Sequence, residues 1–178
     1  MFVKNWYTML KSAAMYSKPT IVRPNGTTAT ASSYDNFKCI NIGYDGTNTN
    51  GEVRLANVLK NINATTNQSN GGVAFGNGTH APSMDDYTLS GSLVTAFTAS
   101  AVMSKTDNTL KATYTLTATA DITISEIGLF GLYYSGNRYP FLIERTLLDE
   151  PVTIPAGGVG QVEYTITFNL PTATTETN

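Results

Sequence analysis

Charge is scarce in this chain. Only 13% of its 178 residues are Asp, Glu, Lys or Arg, against about 25% in ordinary globular domains. Eleven basic and thirteen acidic residues leave a formal net charge of −2. No basic stripe exists to neutralise nucleic-acid phosphates, so nucleic-acid binding is not expected. The single cysteine, Cys39, cannot close an intramolecular disulfide and reads as a small buried strand residue. A zinc centre needs three or four Cys, His or carboxylate ligands. One Cys and one His, distant in sequence, do not supply it. No apolar run approaches the ~18 residues of a membrane span. The opening MFVKNWYTMLKSAAM also lacks the unbroken apolar middle of a secretory leader, because Lys4, Asn5, Thr8 and Lys11 interrupt it.

What is present points to strands. Hydrophobic residues make up 41% of the chain, enough for a core, and there are 28 Thr, 16 Asn, 15 Gly and 7 Pro. Low helix-former content with many β-branched residues and turn formers favours an all-β chain. Residues 109–120 (TLKATYTLTATA) alternate cleanly. Leu110, Ala112, Tyr114, Leu116, Ala118 and Ala120 share one face, and Lys111 and five Thr share the other. This is the pattern of a half-buried strand. Residues 161–170 repeat it, with Val162, Tyr164, Ile166, Phe168 and Leu170 inward. Between them, Ile122 and Ile124 fall out of phase with Ile127 and Leu129, which predicts a β-bulge at Ser125-Glu126. Residues 139–147 and 151–154 read as two further strands, and Phe37 to Tyr44 as another. Residues 52–62 fit either a strand or a helix. Several strands without helices between them predict an antiparallel β-sandwich, jelly-roll or Ig-like.

The N-terminus reads differently. Phe2, Trp6, Met9 or Leu10, and Ala13 recur at helical spacing, so residues 1–15 read as a short amphipathic helix. A helix of that length is marginal alone and must pack on something, either its own domain or a neighbouring subunit. Pro19, Pro24, Asn25-Gly26 and a Thr/Ala/Ser run then read as loop. The expected organisation is an N-terminal helix on an extended arm over residues 1–35, a sandwich over 36–170, and a disordered tail over 171–178. Phe2, Trp6 and Leu10 are candidate partner contacts.

Chemistry-bearing groups are few. His80 lies in the loop Gly76-Asn77-Gly78-Thr79-His80-Ala81-Pro82 and reads as a surface residue, without a nucleophile on a strained elbow. Asp85-Asp86 read as turn or cap residues. Asp45-Gly-Thr-Asn-Thr-Asn-Gly-Glu52 alternates oxygen side chains, but its Gly and Glu sit at the wrong offsets for an EF-hand calcium loop. No catalytic, cofactor or metal site is expected, and the chain is not expected to be an enzyme. Glu126, Glu144 and Arg145 interrupt apolar strands. Glu144 and Arg145 are adjacent and point to opposite faces, so their partners must lie on neighbouring strands. Tyr133, Tyr134, Tyr139 and Phe141 gather around Ser135-Gly136-Asn137. They are candidates for stacking on sugar rings or for a subunit contact.

Three stretches carry a resemblance: GVAFGNGTHAPSMDDYTLSG (72–91), ISEIGLFG (124–131), and an Arg-bearing strand before LLDEPVTIPAGG (147–158), followed by the alternating VEYTITF (162–168). In this order they resemble small virion proteins of tailed bacteriophages, β-sandwich components of capsid or tail. The resemblance covers about 100 residues and does not reach the N-terminal third. It implies a head decoration, neck or tail subunit, made in the host cytoplasm and located in the virion. Its partners would be copies of itself and other virion proteins. The alternative is a carbohydrate- or receptor-binding sandwich module with a glycan receptor.

Overall fold

The computed structural model describes residues 1–15, 19–30, 72–106, 109–135 and 137–167. The expected strand at Phe37–Tyr44, Cys39, the Asp45–Glu52 loop, the 52–62 stretch and the C-terminal tail lie outside them. The described chain is mostly strand, with one helix: α1 Lys4–Met15, β1 Thr20–Val22, β2 Thr28–Thr30, β3 Gly72–Gly76, β4 Phe97–Thr106, β5 Thr109–Ala118, β6 Ile122–Ser135, β7 Asn137–Ile154 and β8 Val159–Thr167. Two antiparallel three-stranded sheets, ordered β3-β6-β7 and β4-β5-β8, form the all-β sandwich that the alternation predicts.

The core lies between the sheets. Ala112, Tyr114, Leu116 and Ala118 of β5 and Ile166 of β8 are buried there against Val73, Phe75, Ile127 and Leu129. Phe75 stands edge-on to both Phe97, at 5.5 Å, and Tyr114, at 6.2 Å. Ala120 is exposed just beyond the end of β5. The β3-β6-β7 sheet is apolar on its second face as well, where Val3, Ala74, Leu89, Phe130 and Leu142 form a smaller cluster.

Two irregularities decide which side chains reach which face. The β6–β7 register shifts between Ile124 and Glu126, where sequence phase predicts a bulge. Ile122 and Ile124 therefore face the main core, and Glu126 turns to the opposite face. The second shift lies between Leu129 and Phe130, with Leu129 opposite Glu144 and Phe130 opposite Leu142. Ile143 is the extra residue, and it sets Glu144 on the core side with Leu129. The 139–147 and 151–154 segments are one continuous strand, β7, rather than two. Its pairing jumps from Leu147 to Val152 across the first shift, so the ladder is interrupted but the backbone stays extended.

The expected arm is corrected. Helix α1 does not extend away from the sandwich. Val3 N donates to Ile143 O (3.0 Å) and Arg145 N donates to Met1 O (3.0 Å), so residues 1–3 pair with the β7 edge. Trp6 and Met9 are buried in the main core, and Phe2, half-buried, stacks on Trp6 at 5.0 Å. Residues 20–30, expected as linker, form the β1–β2 hairpin. Asn5 joins hairpin to helix: its side chain donates to Val22 O and accepts from Val22 N, both at 2.9 Å. That clamp fixes the rotation of the helix. Asn5, Trp6 and Met9 face inward, and Leu10 lies about 90° off that direction at 3.6 residues per turn, largely exposed. Of the alternatives Met9 and Leu10, Met9 is the buried one.

Tyr114 is wholly buried, yet its hydroxyl has no hydrogen-bond partner among the described residues. Burial pushes its phenol well above the ordinary range. An unsatisfied buried hydroxyl is destabilising. Tyr114→Phe keeps the ring contacts and should stabilise the fold by about 1 kcal/mol, read as a higher midpoint in thermal denaturation. A lower midpoint would mean that the hydroxyl is bonded after all.

Candidate functional site

The second face of the β3-β6-β7 sheet is covered by the loop of residues 77–92. Its ends meet: Gly76 bridges Leu93, Val94 N donates to Phe75 O (2.9 Å), and Ser92 N donates to Asn77 Oδ1 (2.9 Å). Short loop ends brought together by the sheet make a compact, closed loop. Leu89 anchors it by entering the smaller apolar cluster.

Under the loop lie two buried charges. Arg145 Nε donates to Glu126 Oε2 at 2.7 Å. Neither side chain is more than 1% exposed. Every polar arm is used. The Arg145 guanidinium also donates to Asp86 Oδ2, His80 O and Ser90 Oγ, each at 2.7 Å. Glu126 accepts from the backbone N–H of Gly78 (3.0 Å), Ser90 (3.1 Å) and Gly91 (2.8 Å), and from Ser90 Oγ (3.2 Å). Burial pushes the Glu126 carboxyl up, but the Gly91 and Ser90 amides and the Arg145 guanidinium outweigh it and hold it below the usual 4.5. Burial likewise lowers Arg145, and its bonds to Asp86 and Glu126 raise it above the ordinary value.

The backbone of the loop presses directly on Glu126. A Cβ on Gly78 would overlap Ser90 Oγ and Glu126 Oε1, and one on Gly91 would overlap the Gly78 backbone. Only glycine permits that approach. Asp86 has a second task. Its Oδ2 accepts from Ser83 N (2.8 Å), and its own N–H donates to Ser83 O (3.1 Å), closing the turn at 83–86. The turn reading of Asp85-Asp86 therefore holds, with an ion pair to Arg145 added to it.

Glu144 and Arg145 do point to opposite faces, and each finds its partner on another element. Glu144 faces the other sheet, where Tyr164 Oη donates to its Oε2 at 2.6 Å. Thr146 Oγ1 and the Met1 nitrogen donate to its Oε1, at 2.6 and 2.5 Å. Burial and the adjacent Glu144 charge raise the Tyr164 phenol far above its ordinary value.

The other sequence candidates are dispersed. His80 enters the network through its carbonyl oxygen, and the residue is exposed. Trp6 and Phe2 pack on their own chain, and Leu10 is on the solvent side of α1. Tyr133 pairs in register with Tyr139, and Tyr134 with Arg138, at the β6–β7 hairpin end. The side chains of these three tyrosines lie outside the described part. Phe141 is wholly buried in the main core, away from any surface cluster. Asn5, Ser90 and Asp86 were not singled out by sequence as a network. A polar residue among apolar helix positions was the only signal for Asn5. Among the described residues no group of His, Cys, Asp and Glu could hold a metal ion, and no helix is long and apolar enough to cross a membrane. Comparison with known families, curated proteins and solved structures finds no match.

The arrangement locks a surface loop onto a sheet, and its electrostatics can be tested. The folded Glu126 carboxyl lies below its ordinary 4.5, so its stabilisation is present above that pH and is lost as pH falls through the folded value. Urea denaturation should show Glu126→Gln to be destabilised at pH 7 by about 3 kcal/mol. The gap to the parent should narrow on acidification below 4.5. A gap that is independent of pH would mean that the carboxylate charge is not what holds the loop.

Proposed function

We propose that this protein is a structural component of a bacteriophage virion, a head decoration, neck or tail subunit that works by self-assembly and docking to other virion proteins. One observation carries this reading. The stretches that resemble virion proteins converge in space: loop 77–92, Glu126 of ISEIGLFG and Arg145 of β7 form one hydrogen-bonded unit. The loop, the Glu126 strand and the Arg145 strand look like ordinary β-protein sequence one at a time and are parts of a single device. The device gives a surface loop a rigid shape, which suits docking in an assembly. Nothing in it activates a nucleophile, and its titratable groups are used up in holding one another.

The glycan-binding alternative rests on the aromatic cluster at 133–141. It is weaker by one member, since Phe141 belongs to the core. The test is composition. Particles of a phage carrying this reading frame, purified on a density gradient, should contain the chain at fixed stoichiometry by quantitative mass spectrometry. A chain abundant in the lysate but absent from particles would overturn the reading.

A further inference from the structure

We propose that loop 77–92 and Arg145 form a receptor for a small carboxylate anion, which the chain fills with its own Glu126 and which formate enters when that side chain is cut back to alanine. The receptor does not depend on the virion reading.

Donors from two elements converge on one group. Glu126 Oε1 accepts from Gly78 N (3.0 Å) and Gly91 N (2.8 Å). Oε2 accepts from Ser90 N (3.1 Å), Ser90 Oγ (3.2 Å) and Arg145 Nε (2.7 Å). The successive Ser90 and Gly91 amides make the kind of backbone concavity that holds anions, and Arg145 adds a full positive charge. Both oxygens of a carboxylate are met, and the surroundings favour its ionised form, since the Gly91 and Ser90 amides and Arg145 hold the carboxyl below 4.5. A planar anion with two oxygens matches this layout. A neutral amide would bring its own N–H against N–H donors.

The donors have other holds than Glu126. Asp86 Oδ2, His80 O and Ser90 Oγ each accept from the Arg145 guanidinium at 2.7 Å. The loop is closed at its ends by Val94 N on Phe75 O and Ser92 N on Asn77 Oδ1, and Leu89 anchors it in the smaller apolar cluster. The walls beside the carboxylate are glycine: a Cβ on Gly76 or Gly78 would overlap Glu126 Oε1. No side chain at those positions can collapse into space that Glu126 gives up. Truncation therefore leaves a buried guanidinium and three amides without their acceptor, which is costly. Donors already in place bind the group that satisfies them without the cost of ordering. Alanine keeps Cβ, so the space released is that of a carboxylate and one methylene. Formate is the carboxylate small enough to enter it.

Thermal denaturation of the full chain at pH 7 tests this, with sodium chloride holding ionic strength constant. Glu126→Ala should melt below the parent, and formate should raise its midpoint along a saturating curve. At about 100 times the dissociation constant, formate should multiply the folded-to-unfolded ratio about 100-fold. Formamide, neutral and of similar size, should not. The parent and Glu126→Gln, whose side chains fill the space, should not respond to formate. A Glu126→Ala chain unfolded in chloride should fold as formate is added, so loss of folding still reads the site. A midpoint no higher in formate than in chloride, or a chain unfolded in both while Glu126→Gln folds, would overturn the receptor. An equal rise in the parent or in Glu126→Gln would overturn it as a general salt effect. An equal rise with formamide would overturn the carboxylate as its ligand.

Discussion

A carboxylate and a guanidinium share the dry space between a β-sheet and the loop laid over it, and much of the molecule is arranged to make that tolerable. Removing two charges from water costs several kcal/mol each, which their attraction offsets only when every remaining hydrogen-bonding arm is satisfied. Glu126 meets that condition with three backbone amides, a serine hydroxyl and Arg145. Arg145 meets it with Asp86, Ser90 and a loop carbonyl. Such a network adds little net stability over an apolar replacement, but it admits few geometries. Its physical product is a loop with one path. The glycines at 78 and 91 follow from it, because a side chain at 78 would occupy the space of the carboxylate and one at 91 the space of the Gly78 backbone that is pressed against it.

The bulges in the β6–β7 pair make the network compatible with a sandwich. A regular strand alternates strictly, so Glu126 would share a face with Ile122 and Ile124 and enter the main core. The shift at Ser125-Glu126 turns it to the loop side. The extra residue at Ile143 sends Glu144 to Tyr164 of the other sheet and Arg145 to the loop. One sheet thereby serves two interiors. The apolar interior holds the sandwich together, and the mixed one holds the loop. The N-terminal segment closes the β7 edge beside both, with Val3 in the smaller cluster and Trp6 in the larger.

The outer face of the β4-β5-β8 sheet differs in character. Thr98, Thr117 and Thr165 are exposed there, and Lys111 pairs with Glu163. By register Val102, opposite Thr113, and Val159, opposite Thr117, share that face, and they are the most exposed large apolar side chains among the described residues. The face therefore mixes short polar threonines with two exposed valines, so both it and the α1 side carry apolar area whose removal from water is favourable.

Sequence alone determined the parts that depend on local period. Strand alternation placed Tyr114, Leu116 and Ile166 inside and their Thr neighbours outside, because successive residues of a strand must face opposite ways. The phase slip marked the bulge at Ser125-Glu126 for the same reason, and the opposed directions of Glu144 and Arg145 were legible as neighbours on one strand. Where those charges found partners was not legible. Glu126 and the Gly78 amide are 48 residues apart, and no local pattern encodes a contact across such a distance. The helix shows the same division. Its amphipathic spacing was visible, but Met9 and Leu10 fit that spacing equally well. The choice fell to a side chain outside the apolar pattern, Asn5, whose two bonds to Val22 set the rotation of the helix. Local sequence determined which residues could be buried; the tertiary structure decided against what, because burial of a polar group is settled only by the particular partner that satisfies it.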